Sequence, residues 1–82
     1  MMIEPALLRI LVCPIDKREL LYFAPEQLLY NPRLRRRYRI AGGIPVLLAV
    51  QSEPVDEWEH TRLVKAAAQG DAISTGPDHP PR

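Results

Sequence analysis

The sequence predicts a small α+β domain, an antiparallel sheet with a short N-terminal helix and a longer C-terminal one. Three observations predict it. Residues 19–24 and 27–31 are apolar runs joined around Pro25-Glu26, the pattern of a β-hairpin. Residues 34–40 alternate with a period of two, Leu34, Arg36, Tyr38 and Ile40 on one face and Arg33, Arg35, Arg37 and Arg39 on the other. Residues 53–69 form a helical stretch with Ser52 before it and Gly70 after it.

At the N-terminus, Pro5 suits a first helical turn, where its missing N–H costs nothing. Leu7, Ile10 and Leu11 follow at helical spacing, so residues 5–11 read as an amphipathic helix stopped near Pro14. Residues 13–17 read as a knuckle or turn. The hairpin carries Leu, Tyr or Phe on both faces, so both faces need cover, one of them from the helix. Ala41-Gly42-Gly43 is a tight turn. Residues 44–50 are then an apolar strand, confined to a sheet edge because Pro45 cannot donate to a ladder. Ser52 is the expected N-cap of the last helix, with Pro54 in its first turn and Glu53, Asp56 and Glu57 complementing its dipole. Val55, Trp58, Leu63 and Ala66 lie roughly on one side of it. The expected division is a domain over residues 1–52, a C-terminal helix over 53–69 and a disordered tail over 70–82, which is rich in Pro, Gly, Ser and Asp.

Eighty-two residues suffice for one small domain, and 46% of them are hydrophobic. Eleven basic and ten acidic side chains leave a formal charge of +1, which exerts no whole-protein pull toward nucleic acid or anionic lipid. The longest apolar runs are too short to span a bilayer and the first residues lack a secretory signal, so no membrane association and a cytoplasmic location are expected. Cys13, the single cysteine, has no internal disulfide partner. A core this small is marginal without disulfide, metal or partner. Composition therefore points to a partner or to self-association.

Three pieces in order carry a resemblance: residues 8–14 with Leu20 and Tyr22 after them, Tyr38-Arg39-Ile40, and Gly43-Ile44-Pro45-Val46-Leu47-Leu48. Together they resemble the small zinc-ribbon-like proteins related to the activator subunit of tRNA, rRNA and release-factor methyltransferases. The resemblance covers about residues 5–50, and its last piece is the most specific. It implies a zinc-ribbon-like sheet and a partner-binding role by β-strand addition, with Ile44, Val46, Leu47 and Leu48 at the contact. Metal-binding members carry two cysteine pairs. The four positions here read Cys13, Asp16, Asn31 and Leu34, and a leucine ligates nothing, so no zinc and no other cofactor is expected.

The remaining candidates carry alternatives. Cys13 is a reactive thiol or a buried small hydrophobe, and no histidine near it in sequence favours the first. Asp16 pairs with Arg39 or another local arginine, or caps its turn. The arginines of residues 33–39 are a solvated edge that blocks aggregation, or an RNA-contacting strand using Arg35, Arg37 and Arg39. An acidic stretch, Glu53, Asp56, Glu57 and Glu59, is placed to fold back on them. Trp58 anchors an interface or pins the last helix to the sheet. No Ser/His/Asp set, carboxylate pair or phosphate-binding loop assembles, so an enzyme is not expected. Three functions remain: a module that stabilises or activates a methyltransferase-type enzyme, a small RNA-contacting protein, or a homodimeric structural domain.

Overall fold

The computed structural model describes residues 5–76. Helix α1 (Pro5–Leu8) leads into strands β1 (Leu21–Phe23), β2 (Leu28–Asn31) and β3 (Arg36–Ala41). Then come β4 (Ile44–Pro45), a 3-10 turn (Ala49–Gln51), β5 (Glu53–Pro54), helix α2 (Glu57–Ala68) and β6 (Ile73–Ser74). The six strands form one antiparallel sheet in the order β4-β3-β2-β1-β6, with β5 also pairing to β3.

The hairpin forms where the apolar runs predict it, with Tyr22 opposite Leu29. Its two faces feed two clusters. Leu11, Cys13, Leu20, Tyr22, Leu29, Tyr38 and Ile40 form the first, against which Leu7 and Leu8 of α1 and Leu47 pack. Phe23, Leu28, Tyr30, Val55 and Leu63 form the second, with Ala66 and Ala67 of α2 against it. Each face is thus covered by its own helix, and α2 belongs to the same packed body as the hairpin.

Four expectations change. Helix α1 ends at Leu8, and Ile10 points to solvent while Leu11 turns inward. The straightened chain carries Leu11 and Cys13 down onto the sheet.

Helix α2 is capped by Asp56, whose Oδ1 accepts the Glu59 N–H at 2.8 Å, not by Ser52. Ser52 is engaged elsewhere: its hydroxyl donates to the Ala49 carbonyl and accepts from Arg36 Nε. Residues 53–54 consequently join the sheet.

The apolar strand expected over residues 44–50 is cut to Ile44–Pro45. The turn before it has positive φ at both Gly42 and Gly43, the geometry that suits a two-residue hairpin loop. The Val46 N–H still reaches the Arg39 carbonyl at 3.0 Å. Continuing that register would set Leu48 opposite Arg37, where Glu53 stands instead, so five residues are looped out of β3's edge. The 3-10 turn closes this loop, with Gln51 N–H on the Leu48 carbonyl.

Part of the expected tail is a strand. β6 pairs with β1, the Thr75 hydroxyl accepts the Leu20 N–H at 2.9 Å, and the Gly76 N–H reaches the Leu8 carbonyl at 3.1 Å. Little apolar burial is needed at this edge because backbone bonds and the buried Thr75 hold it, and Ile73 itself is exposed. Residues 77–82 of the expected tail lie outside the described residues.

Leu63 is fully buried and Trp58 is 79% exposed on the opposite side of α2. Leu63→Ala is expected to cost about 2–5 kcal/mol in urea unfolding, and Trp58→Ala to stay within about 0.5 kcal/mol. A silent Leu63→Ala would mean that α2 is not part of the core.

Candidate functional site

Two short loops meet at one end of the sheet. In the first, residues 13–18, the Cys13 N–H bonds the Arg18 carbonyl at 2.9 Å and the Lys17 N–H bonds the Cys13 carbonyl at 2.8 Å. Lys17 takes a left-handed φ of 59° to close it. In the second, after β2, the buried Asn31 accepts the N–H groups of Arg33 (2.9 Å) and Leu34 (3.1 Å) on its side-chain oxygen. Asn31 before Pro32 is the signal for such a turn.

Asp16 joins the loops. Its carboxylate accepts from Arg33 Nε at 2.8 Å, from Arg33 Nη2 at 3.3 Å, from the Asn31 amide at 3.2 Å and from the Arg18 N–H at 3.2 Å. Arg33 also donates to the Glu19 carbonyl at 2.7 Å. The Arg33 guanidinium, ahead of the Asn31 and Arg18 bonds, holds the Asp16 carboxyl well below the usual carboxylate range. Asp16 thus both pairs with a local arginine and closes its own turn; the arginine is Arg33.

Cys13 is fully buried, with Sγ 3.1 Å from the Tyr38 hydroxyl and 3.4 Å from the Ile15 N–H. Burial pushes the thiol up, but these bonds outweigh it and leave it below its ordinary value. Burial and the sulfur contact push the Tyr38 hydroxyl up. A thiol sealed under a tyrosine packs as a core residue.

These residues do not fit zinc. The Asp16 oxygens are taken by a guanidinium and an amide, Asn31 is spent on its turn, and Leu34 is an exposed hydrocarbon. A cationic side chain and a carboxylate stand where four anionic or neutral donors would be required.

The arginines of β3 and its approach are mostly engaged. Arg35 pairs with Glu57 at 2.7 Å, and Arg37 with Glu53 at 3.1 Å and Glu59 at 3.6 Å. Arg36 donates to the Ser52 hydroxyl and carbonyl. The acidic stretch does fold back, except that Asp56 caps the helix. Arg62 on α2 clamps Glu26 and Glu59, both at 2.8 Å, a tie across to the hairpin turn that the sequence reading passed over. Glu26 stands in that turn, which is the one available signal.

Exposed apolar side chains stand in β4 and the looped-out segment, as they also do at Ile10, Trp58 and Ile73. Ile44 is 69%, Leu48 57% and Val50 88% exposed. Val46 is half-buried, and Leu47 turns onto the first cluster. Of the four expected contact residues, Ile44 and Leu48 face out, while Val50 was not among them. The edge itself is donor-poor at Pro45. Arg39 and Val46 form a hydrogen-bonded pair, so Ile40 and Pro45 form a non-bonded one, and the position facing outward on β4 is the proline nitrogen. Beside this edge an open groove of about 340 Å³ is lined by residues of the hairpin turn, β3, Glu53 and Glu59.

Sheet, knuckle-like loops and covering helices define a small zinc-ribbon-like α+β protein in which side chains hold the loops together. Residues 4–43 match the family described as Trm112p-like protein. A UPF0434 protein of Hyphomonas neptunium is 36% identical over 59 residues, covering 72% of this chain and 69% of that protein. A solution NMR structure of an uncharacterized structural-genomics target has 48% identity and a TM-score of 0.58, covering 68% of this chain and 92% of that one. The chain belongs to the Trm112p-like, UPF0434 family. A matching stretch also occurs in a tetraacyldisaccharide 4'-kinase of Verminephrobacter eiseniae, 39% identical over 56 residues, 68% of this chain and 13% of that protein.

Asp16→Asn is expected to destabilise the domain by about 1–3 kcal/mol at pH 7. Because the folded carboxyl is held low, its contribution is complete above the unfolded value of about 3.9 and drains away as pH falls toward the folded value. Urea unfolding from pH 7 to pH 2 should show the gap between the two proteins closing below about pH 4. A gap independent of pH would dissociate the clamp from the carboxylate's charge.

Proposed function

We propose that the chain is a non-catalytic protein-binding module that stabilises or activates a partner enzyme, of the methyltransferase type that the family resemblance implies. The observation that carries this is the looped edge. Ile44, Leu48 and Val50 are each exposed in one short segment that starts at the edge strand β4, and exposed apolar residues are typical of interaction surfaces. Exposing them lowers no internal energy, and the first cluster is closed without them.

Strand addition along residues 46–48 suits this reading, displaced from Pro45, which offers an incoming strand no donor. Two further features support a binding role over chemistry. The fully buried Cys13 is out of reach of a substrate, and the acids around β3 are engaged by Arg35, Arg37 and Arg62. The same pairing weakens the RNA alternative, since Arg35 and Arg37 have their charge matched within the fold. Among the described residues no helix is long and apolar enough to cross a membrane. A cytoplasmic site of action goes with this reading.

The second reading concerns the partner. A stretch like this one is part of a single chain with a tetraacyldisaccharide 4'-kinase in Verminephrobacter eiseniae. Domains fused in one chain in one organism can associate as separate chains in another, which makes a kinase of that kind the alternative enzyme for the same edge.

Leu48→Asp tests the edge. The residue is exposed, so stability should change by no more than about 0.5 kcal/mol. Capture from native lysate followed by mass spectrometry should retrieve a methyltransferase with the wild type and lose it with the variant; retrieval of the kinase instead selects the second reading. Capture that Leu48→Asp leaves intact removes the edge from consideration. A concentration-dependent mass without any foreign protein, abolished by the variant, would assign the edge to a homodimer.

A further inference from the structure

The two sides of the sheet end differently. On the β3 side, the Val46 N–H bonds the Arg39 carbonyl and the Val55 N–H bonds the Arg35 carbonyl. The positions alternating with them face away from β3, and both are prolines, Pro45 and Pro54. Neither has an N–H to offer a further strand. On the other side the last full strand is β1, and among the described residues only the two-residue β6 pairs with it there.

β6 is a light cover. Its Ile73 is 53% exposed, and the residue before it, Ala72, is the one partly buried apolar side chain it brings to the second cluster. What holds it is specific. Thr75 is buried, its N–H reaches the Leu20 carbonyl at 2.8 Å, and its hydroxyl accepts the Leu20 N–H at 2.9 Å. Gly76 takes a φ of 103°, and a Cβ there would meet the Glu19 Cβ at 3.5 Å. The strap starts beyond Gly70, where the chain turns off α2 and nothing lies within 4 Å of where a Cβ would stand. Residues 71–76 can therefore leave β1 while α2 stays on its cluster. They also lie outside residues 4–43, the part of the chain that matches the family.

We infer that the edge of β1 is a strand-binding site that β6 closes in cis, and that its ligand is an extended segment of another protein. The segment that fits carries a small apolar residue, a threonine three positions on and a glycine directly after it, the pattern of Ala72, Thr75 and Gly76. In such pairing main-chain bonds supply affinity and the seats for particular side chains supply selectivity. The strap competes at an effective concentration on the order of millimolar, so a free segment gains the edge when β6 is loosened. The site is independent of the loop at residues 44–50, which lies on the opposite side of the sheet.

The test uses the full-length, 15N-labelled chain and a blocked peptide with the sequence of residues 70–76. Thr75→Val removes the acceptor of the Leu20 N–H while keeping the side chain's shape. Solvent exchange of that amide should rise about ten- to a hundredfold. The peptide should then shift the amides of Leu20, Leu21 and Tyr22 at about a tenfold lower concentration than it needs with the wild type. A peptide with the Thr75→Val change should leave them unmoved. Leu21→Cys combined with Ser74→Cys, opposite each other in a non-bonded pair, locks the strap with a disulfide and should abolish the shifts until it is reduced. If Thr75→Val does not fold, the wild-type and locked chains carry the same comparison at millimolar peptide. Shifts that survive the lock, or a loosened strap on which the peptide has no effect, would overturn the inference. A mass of Thr75→Val that rises with concentration, with the same amide shifts and no peptide, would overturn the foreign ligand in favour of a second copy's β6.

Discussion

The clamp between Asp16, Arg33 and Asn31 is the interaction on which the rest of the structure depends. Two loops, one before β1 and one after β2, have no strand pairing of their own, and something must hold them together at the end of the sheet. A metal does this with four strong bonds to deprotonated donors. Here a carboxylate does it with hydrogen bonds from a guanidinium, an amide and a backbone N–H. Each charge-assisted bond contributes about 1.5–3 kcal/mol, and the Arg33 and Asp16 side chains are 26% and 22% exposed, so water screens the pair only in part. Beneath it Cys13 and Tyr38 complete the first cluster. A staple built on the Asp16 carboxylate weakens as acid protonates it.

A second constraint shapes the far side. The free edge of β3 is shared by two short strands, β4 near its C-terminal end and β5 near its N-terminal end. A single continuous strand over residues 44–50 would have used that edge fully and carried Val50 beyond it. Splitting it releases five residues into a loop and puts Glu53 next to Arg37. The same split frees Ser52 to hold Arg36 and leaves Asp56 to start α2. The apolar loop and the ion-paired face are thus two products of one register change.

Local patterns made the hairpin, the glycine turn, the edge position of Pro45 and the burial of Cys13 legible in the sequence, because each follows from period, turn chemistry or a missing donor within a few residues. The poor fit of these four positions to zinc is likewise a local reading, since Leu34 offers no donor. What was not legible depends on pairing at a distance. Ser52 is as good an N-cap as Asp56 until Arg36 claims it from 16 positions away. Residues 70–76 have the composition of a tail, and become a strand only because β1 offers a free edge and Thr75 a buried hydroxyl. Ile10 keeps helical spacing with Leu7, yet the helix ends first because Leu11 and Cys13 gain more by reaching the sheet.

The arginine strand shows how far composition alone misleads. Five arginines in seven positions suggest a phosphate-binding ribbon. Their positions in the fold argue otherwise, because four of the five complete contacts on which the architecture relies. Arg33 bridges the loops, Arg36 fixes Ser52, and Arg35 and Arg37 draw the acidic start of α2 and Glu53 onto the sheet. Exposed pairs of this kind add little stability singly. Their combined effect is one of placement, setting α2 over the second cluster and β5 beside β3. A ribbon built to meet phosphates would leave these charges unmatched and in line. Here the charge is matched internally, in the ion pairs that hold α2 and β5 against the sheet.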